Sequence, residues 1–303
     1  MDPSFGGRRQ RFATSAPLTN AKRDPSFLSY AVPESELHKF PATRSAEFAV
    51  HGVDVSKYQG DIDWQAVKDS GVAFAFIKAS EGGDRTDSKF QYNWAAAKAA
   101  GVPRGAYHFV YWCRLPHEEV GNFINTVPND PDALPPVLDV EATPESKSCK
   151  RTLYRDEALR DMRAMLEMME RHYGKRPIIY SSVDFYQAIL HSNALSEYPI
   201  WVRSTKYHPV VRYGDRKWTF WQYRSDGHVP GIGNAVDQNA FNGSFDEWRS
   251  WLASQTGLRA APVATAKPVD DRGTKQLMEE DPAMLPGGGV QPPADVANPP
   301  GKG

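Results

Sequence analysis

Asp139 and Glu141 stand two residues apart in Pro135-Pro136-Val137-Leu138-Asp139-Val140-Glu141-Ala142, a short apolar run that two prolines separate from what precedes it. In a strand, successive side chains alternate faces, so both acids project one way and Leu138 and Val140 the other. At a rise of about 3.3 Å per residue, their Cα atoms would lie roughly 6.5–7 Å apart. Carboxylates that close repel each other, and the pKa of one rises. A protonated acid beside an ionised one is the equipment for cleaving a glycosidic bond. The bland reading is a strand end whose acids face water, and the pair alone does not decide between the two.

The surrounding pattern does more. Strand-like and helix-like stretches alternate from residue 51 to residue 256, which argues for a parallel sheet with helical crossovers. The strand-like stretches are 52–56, 73–79, 105–111, the Asp139 segment, 177–181, 199–203, 218–223 and 235–241. Helices are expected from an Asp63 N-cap to Gly71, over 87–100, around 117–126, from a Thr152 cap to Gly174, near 184–191 and over 245–252. Methionines 162, 165 and 169 fall on the apolar face of the longest helix and read as core. Helices run out after the sixth strand, so the last strands are joined by loops. Eight strands in this order predict an α/β barrel, in which polar residues near the C-terminal strand ends read as catalytic. Asp54, Asp139, Glu141 and Asp237 lie near the ends of the first, fourth and eighth strands; Tyr107, Tyr180, Trp201 and Gln222 come from the third, fifth, sixth and seventh. Buried carboxylates cost several kcal/mol unless paired or hydrogen-bonded, so a barrel without a function would carry Val or Ile there. For Asp54 and Asp237 the competing reading is a hydrogen-bonded structural acid, and His108, a lone histidine on the third strand, reads as structural.

The chain of 303 residues has a formal net charge of −1, which gives no electrostatic case for nucleic acid. No apolar run is long enough to span a membrane, and no signal peptide is readable in the first 50 residues. Residues 1–50 and 257–303 are expected to be disordered tails, the second rich in Pro and Gly.

Seven segments together resemble the family 25 glycoside hydrolases, the bacterial and phage N-acetylmuramidases. They are His51-Gly52-Val53-Asp54-Val55-Ser56-Lys57-Tyr58-Gln59-Gly60, Phe76-Ile77-Lys78-Ala79-Ser80-Glu81-Gly82, Gly105-Ala106-Tyr107-His108-Phe109 and Val137-Leu138-Asp139-Val140-Glu141, then Ile179-Tyr180-Ser181, Trp221-Gln222-Tyr223 and Val236-Asp237-Gln238-Asn239-Ala240-Phe241. The resemblance implies a modified TIM barrel of five β/α units followed by three strands. It also implies hydrolysis of the β-1,4 bond between N-acetylmuramic acid and N-acetylglucosamine, with no cofactor or metal, by a monomer acting on peptidoglycan strands. On that pattern Glu141 is general acid and then base, and Asp139 orients the substrate's 2-acetamido group or acts as the nucleophile. Asp54 and Asp237 hold the proton balance, Tyr180 and Gln222 contact the acetamido region, and Tyr107 and Trp201 line the groove. Two departures stand out. Arg203 stands where the family more often has a small residue, and is either a groove charge facing a peptide-stem or muramyl carboxylate or a surface arginine; Val110-Tyr111-Trp112-Cys113-Arg114 differs from the usual continuation.

Cys113 and Cys149 follow neighbouring strands and are either a disulfide across adjacent loops or two free thiols. A bond would fit the periplasm or the outside of the cell, where the substrate lies. The rival readings are a catalytically inactive barrel that binds peptidoglycan or chitin, and a metal-dependent hydrolase using Asp139 and Glu141 as ligands. No His-x-His or His-Glu-x-x-His spacing supports the second.

Overall fold

A computed structural model of the chain describes residues 42–142 and 149–256. The tails expected over 1–41 and 257–303 lie outside the described residues.

Eight strands close into a barrel. They are β1 (His51–Val55), β2 (Phe74–Glu81), β4 (Arg104–Phe109), β5 (Val137–Val140), β6 (Ile178–Ser181), β7 (Ile200–Arg203), β8 (Phe220–Gly227) and β9 (Val236–Phe241). A two-residue strand, β3 (Arg85–Thr86), pairs back on β2 outside the barrel. Pairing of β1 with β2 on one side and β9 on the other completes the ring. β1 to β8 run parallel around the barrel, whereas β9 is antiparallel to both its neighbours. Helices α1 (Trp64–Asp69), α2 (Phe90–Ala99), α3 (Pro116–Thr126), α4 (Arg155–Tyr173) and α5 (Val183–Phe185, continued as a π turn over Tyr186–Leu190) follow the first five barrel strands. This is the expected arrangement of five β/α units and then three strands. Only the short α6 (Pro209–Tyr213) separates β7 from β8, and α7 (Phe245–Gln255) closes the described chain.

Local chemistry explains most of the boundaries. The Asp63 side chain accepts from the Gln65 and Ala66 amides and starts α1. Gly174, with φ 64°, ends α4 in the left-handed conformation that glycine takes without steric cost. Thr152 does not cap α4; Tyr154 stands at the N-cap and makes no side-chain cap bond. The residues before it are held elsewhere. Arg151 donates to the Trp112 carbonyl at 2.6 Å, and Cys149 is bonded to Cys113, so the chain turns helical only after these ties. Residues 42–50, expected within a disordered tail, are ordered. A 3-10 turn over Ala42–Glu47 leads to Phe48, which packs against Trp218 and Trp221, and to Val50, which is fully buried.

Alternation along the strands divides the apolar residues into two layers. Leu138, Val140, Ile179 and Val202 face the helices, where they meet Phe123 of α3 and Met162, Met165 and Met169 of α4. Phe74, Phe76, Val137, Ile178, Tyr180, Trp201, Phe220 and Phe241 fill the lumen, with Trp248 and Leu252 of α7 beneath them. The lumen is therefore packed core. Two glycines make room for it. A Cβ on Gly52 would meet the Phe74 ring at 2.5 Å, and one on Gly105 would meet Phe76 at 2.9 Å.

His108 points outward, as a structural histidine should. Its Nδ1 lies 2.8 Å from the Ser80 hydroxyl and its Nε2 2.6 Å from Glu119 of α3, all three groups being buried. The β2–β4 register shifts between Lys78 and Ser80, which turns Ser80 to the outer face to make this contact. Removing either His108 or Glu119 strands a buried polar group. Glu119→Ala and His108→Ala are each expected to lose about 2–5 kcal/mol of unfolding free energy in denaturant titration. A loss well under about 1 kcal/mol would show that this chain does not hold α3 to the barrel.

Candidate active site

All eight site residues expected from the sequence line one groove of about 440 Å³: Asp54, Tyr107, Asp139, Glu141, Tyr180, Trp201, Gln222 and Asp237. It opens at the C-terminal ends of the parallel strands. Asp237 reaches it from the other direction. It is the second residue of β9, but β9 is antiparallel, and its register sets Asp237 directly opposite Asp54. An acid at the start of one strand and an acid near the end of another thus share one mouth.

Asp54 is the best-connected group. Its Oδ2 accepts from Gln222 Nε2 at 2.9 Å and from Asn239 Nδ2 at 2.8 Å. Each amide is oriented from behind. The Tyr180 hydroxyl donates to Gln222 Oε1 at 2.9 Å, and the Trp201 indole donates to Asn239 Oδ1 at 2.8 Å. A donor behind each amide oxygen obliges its NH₂ to face Asp54. Burial pushes the Asp54 carboxyl up to about 6, against the pull of Asn239 and Gln222. Burial first, and then the charge of Asp54, pushes Asp237 up to about 8. The two are hydrogen-bonded, so at neutral pH the proton rests on Asp237 and Asp54 is the anion.

Asp139 and Glu141 make a second pair. They share a face, as alternation requires, with Asp139 inside β5 and Glu141 just beyond its end. Burial drives the Asp139 carboxyl well above its usual range, and Glu141 adds to the effect. Burial also raises Glu141, while Arg203 and Lys78 pull it down. Asp139 Oδ1 is buried and has no hydrogen-bond partner among the described residues. Burial and the surrounding acids keep the Tyr107 and Tyr180 phenols protonated, which leaves both as donors. Among the described residues, no three His, Cys, Asp or Glu side chains are gathered so as to hold a metal ion.

Several groove residues were not singled out in the sequence. Lys78, Tyr58 and Phe109 line it, and Asn239, fully buried, acts on it from behind through its bond to Asp54; Lys78 and Asn239 matter most. Both had a signal. Asn239 is two residues from Asp237, and Lys78 is two from the lumen residue Phe76, so period-two alternation aims each inward. Lys78 Nζ is 2.7 Å from Glu81 and lies over the Phe109 ring. Arg203, open at the sequence level between surface and groove, lines the groove. Cys113 and Cys149 form a disulfide, with Cα atoms 5.6 Å apart.

A family model described as glycosyl hydrolases family 25 matches residues 53–232. "Uncharacterized protein YegX" of Escherichia coli K12 is 36% identical over 225 residues, covering 72% of this chain and 77% of that protein. "Lysozyme M1" of Streptomyces globisporus is 34% identical over 210 residues, covering 64% of this chain and 68% of that protein. Among solved structures, a family 25 glycosyl hydrolase from Bacillus anthracis superposes with a TM-score of 0.62 at 36% identity, covering 67% of this chain and 93% of its own.

The shared proton of Asp54 and Asp237 has a thermodynamic consequence. Unfolded aspartate releases its proton near about 3.9, whereas folded Asp237 keeps it to about 8. Between those limits the folded state binds more protons than the unfolded state, so stability falls as pH rises through the window. Asp237→Asn has no proton to release there. Its melting temperature is expected to decline less steeply than wild type between about pH 4 and pH 8. Equal slopes would place the proton elsewhere.

Proposed function

The chain belongs to glycosyl hydrolase family 25, and from that premise we propose that it is a peptidoglycan hydrolase cleaving the β-1,4 bond between N-acetylmuramic acid and N-acetylglucosamine. The observation that carries the reading is the groove itself. Four acids, from β1, β5, the residue just past β5, and β9, meet there with Tyr180, Gln222 and Trp201, and burial raises the carboxyl pKa of each above its ordinary range.

Glu141, at the open end of the pair, donates its proton to the glycosidic oxygen as the bond breaks. Asp139, deeper and with an unused oxygen, accepts the N–H of the substrate's 2-acetamido group. That contact aims the acetamido oxygen at the anomeric carbon, which it attacks as the leaving sugar departs with the proton from Glu141. Glu141, now ionised, takes a proton from water, and the water opens the cyclic intermediate from the opposite face. Two inversions at one carbon give net retention. Substrate assistance of this kind is a known departure from the two-carboxylate scheme. It suits a site whose inner carboxyl has, among the described residues, a vacant acceptor and no cation in contact. Asp54, held ionised by two amides, keeps the local field negative and favours the positive charge that develops on the sugar ring. The Cys113–Cys149 disulfide supports work in an oxidising compartment, where peptidoglycan lies.

Glu141→Gln keeps the shape of the side chain and removes the proton. Dye release from labelled peptidoglycan is expected to fall about 10²–10⁴-fold, with the thermal melt little changed. Mass spectrometry of the wild-type products should show muramic acid at the new reducing ends. Wild-type rates from the glutamine variant, or N-acetylglucosamine at the reducing ends, would overturn the assignment.

A further inference from the structure

Arg203 is a cation in a groove of acids, and none of them touches it. It is the last residue of β7, two beyond Trp201 on the same face and in register with Gln222. Its carbonyl accepts from the Tyr213 hydroxyl at 2.7 Å, which fixes the backbone from which the side chain projects. The guanidinium lines the groove with Asp54, Asp139, Glu141 and Asp237. Its charge is felt there, since it holds Glu141, Asp54 and Asp237 below where burial alone would put them. Among the described residues, however, no carboxylate comes within ion-pair distance of it and no acceptor bonds it. The other groove cation differs, because Lys78 is already paired with Glu81. The half-buried guanidinium of Arg203 thus keeps a planar fork of donors that suits a carboxylate and that no described residue uses.

We propose that Arg203 binds a carboxylate of the substrate, and so makes the groove select acidic glycan strands over uncharged N-acetylglucosamine polymers. This rests on the reading of the groove as a glycan-cleaving site and adds a determinant of what it accepts. Two substrate carboxylates have the required chemistry: the lactyl carboxylate of muramic acid where no stem peptide is attached, and the free carboxylates of the stem where one is. A neutral acceptor would leave the guanidinium desolvated without a partner, which is where discrimination comes from.

The test separates binding from turnover. Soluble glycan strands are prepared in three forms: stripped of stem peptides, bearing stems, and with all carboxylates amidated by a neutral amine. Dissociation constants are measured by calorimetry in the Glu141→Gln background, with Arg203 present or changed to Ala, Gln or Lys, all at one pH. The expected result is a charged-over-neutral affinity ratio that drops about 10–100-fold in Arg203→Ala and Arg203→Gln and is partly restored in Arg203→Lys. A drop confined to stripped strands assigns the lactyl carboxylate, and one confined to stem-bearing strands assigns the stem. A ratio unchanged by Ala and Gln overturns the proposal, even if affinity falls equally for every strand. The ratio is read without turnover. If the wild-type enzyme fails to cleave the strands, the hydrolase reading falls while the binding ratio still decides the role of Arg203.

Discussion

Four carboxyl groups share one enclosed mouth, and they cannot all be charged there. Each buried anion costs several kcal/mol unless hydrogen bonds or counter-charges offset it. The barrel meets this constraint differently in each pair. Asp54 is buried but receives two amide donors, so it stands as the anion of its pair, and its neighbour Asp237 keeps the proton. Asp139 has no donor on one oxygen among the described residues, and burial raises its pKa well above the usual carboxyl range. The site is a set of carboxyls sorted by what each can accept.

That sorting depends on the floor beneath it. Phe74, Phe76, Phe220, Phe241 and Trp201 fill the lumen, so water cannot approach the acids from below. Packing and chemistry meet in Trp201. Its ring stacks on Phe76 with centroids 4.6 Å apart, while its N–H fixes the Asn239 amide that bonds Asp54. Tyr180 does the same on the other side, with its ring against Trp201 and its hydroxyl on Gln222. The amides point at Asp54 because rigid aromatic rings stand behind them. A flexible polar residue in either place would let the amide turn and leave the carboxylate without a donor.

Much of this was legible in the sequence because a strand has a period of two. Asp139 and Glu141 share a face for that reason, and so do Asp237 and Asn239. What alternation cannot tell is direction. β9 runs against its neighbours, and only the register shows that Asp237, at the start of its strand, lies opposite Asp54. The misses have physical causes as well. Residues 42–50 carry two apolar anchors, Phe48 and Val50, with no period to announce them, and they are ordered by aromatic surface far away in the chain. Thr152 is a good cap residue, yet α4 starts later because Arg151 and Cys149 are tied to the loop after β4. The Ser80–His108 contact needs a register shift that strict alternation would deny.

Asp139 and Glu141 differ in depth, and on the proposed mechanism that difference sets the order of events. Asp139 lies within β5 and Glu141 one residue past its end, so burial raises the inner carboxyl further. Without substrate, burial favours the protonated form at Asp139 more than at Glu141, whereas the proposed mechanism needs the proton on Glu141. An acetamido N–H arriving at the buried Oδ1 changes the balance. It stabilises the Asp139 anion by a charge-assisted hydrogen bond and leaves Glu141 as the better proton holder. On that mechanism, correct binding of the N-acetyl group would load the acid proposed to cleave the bond beside it. A sugar without that group would leave the proton on Asp139 and lack the internal nucleophile at the same time, so specificity and catalysis would rest on the same contact.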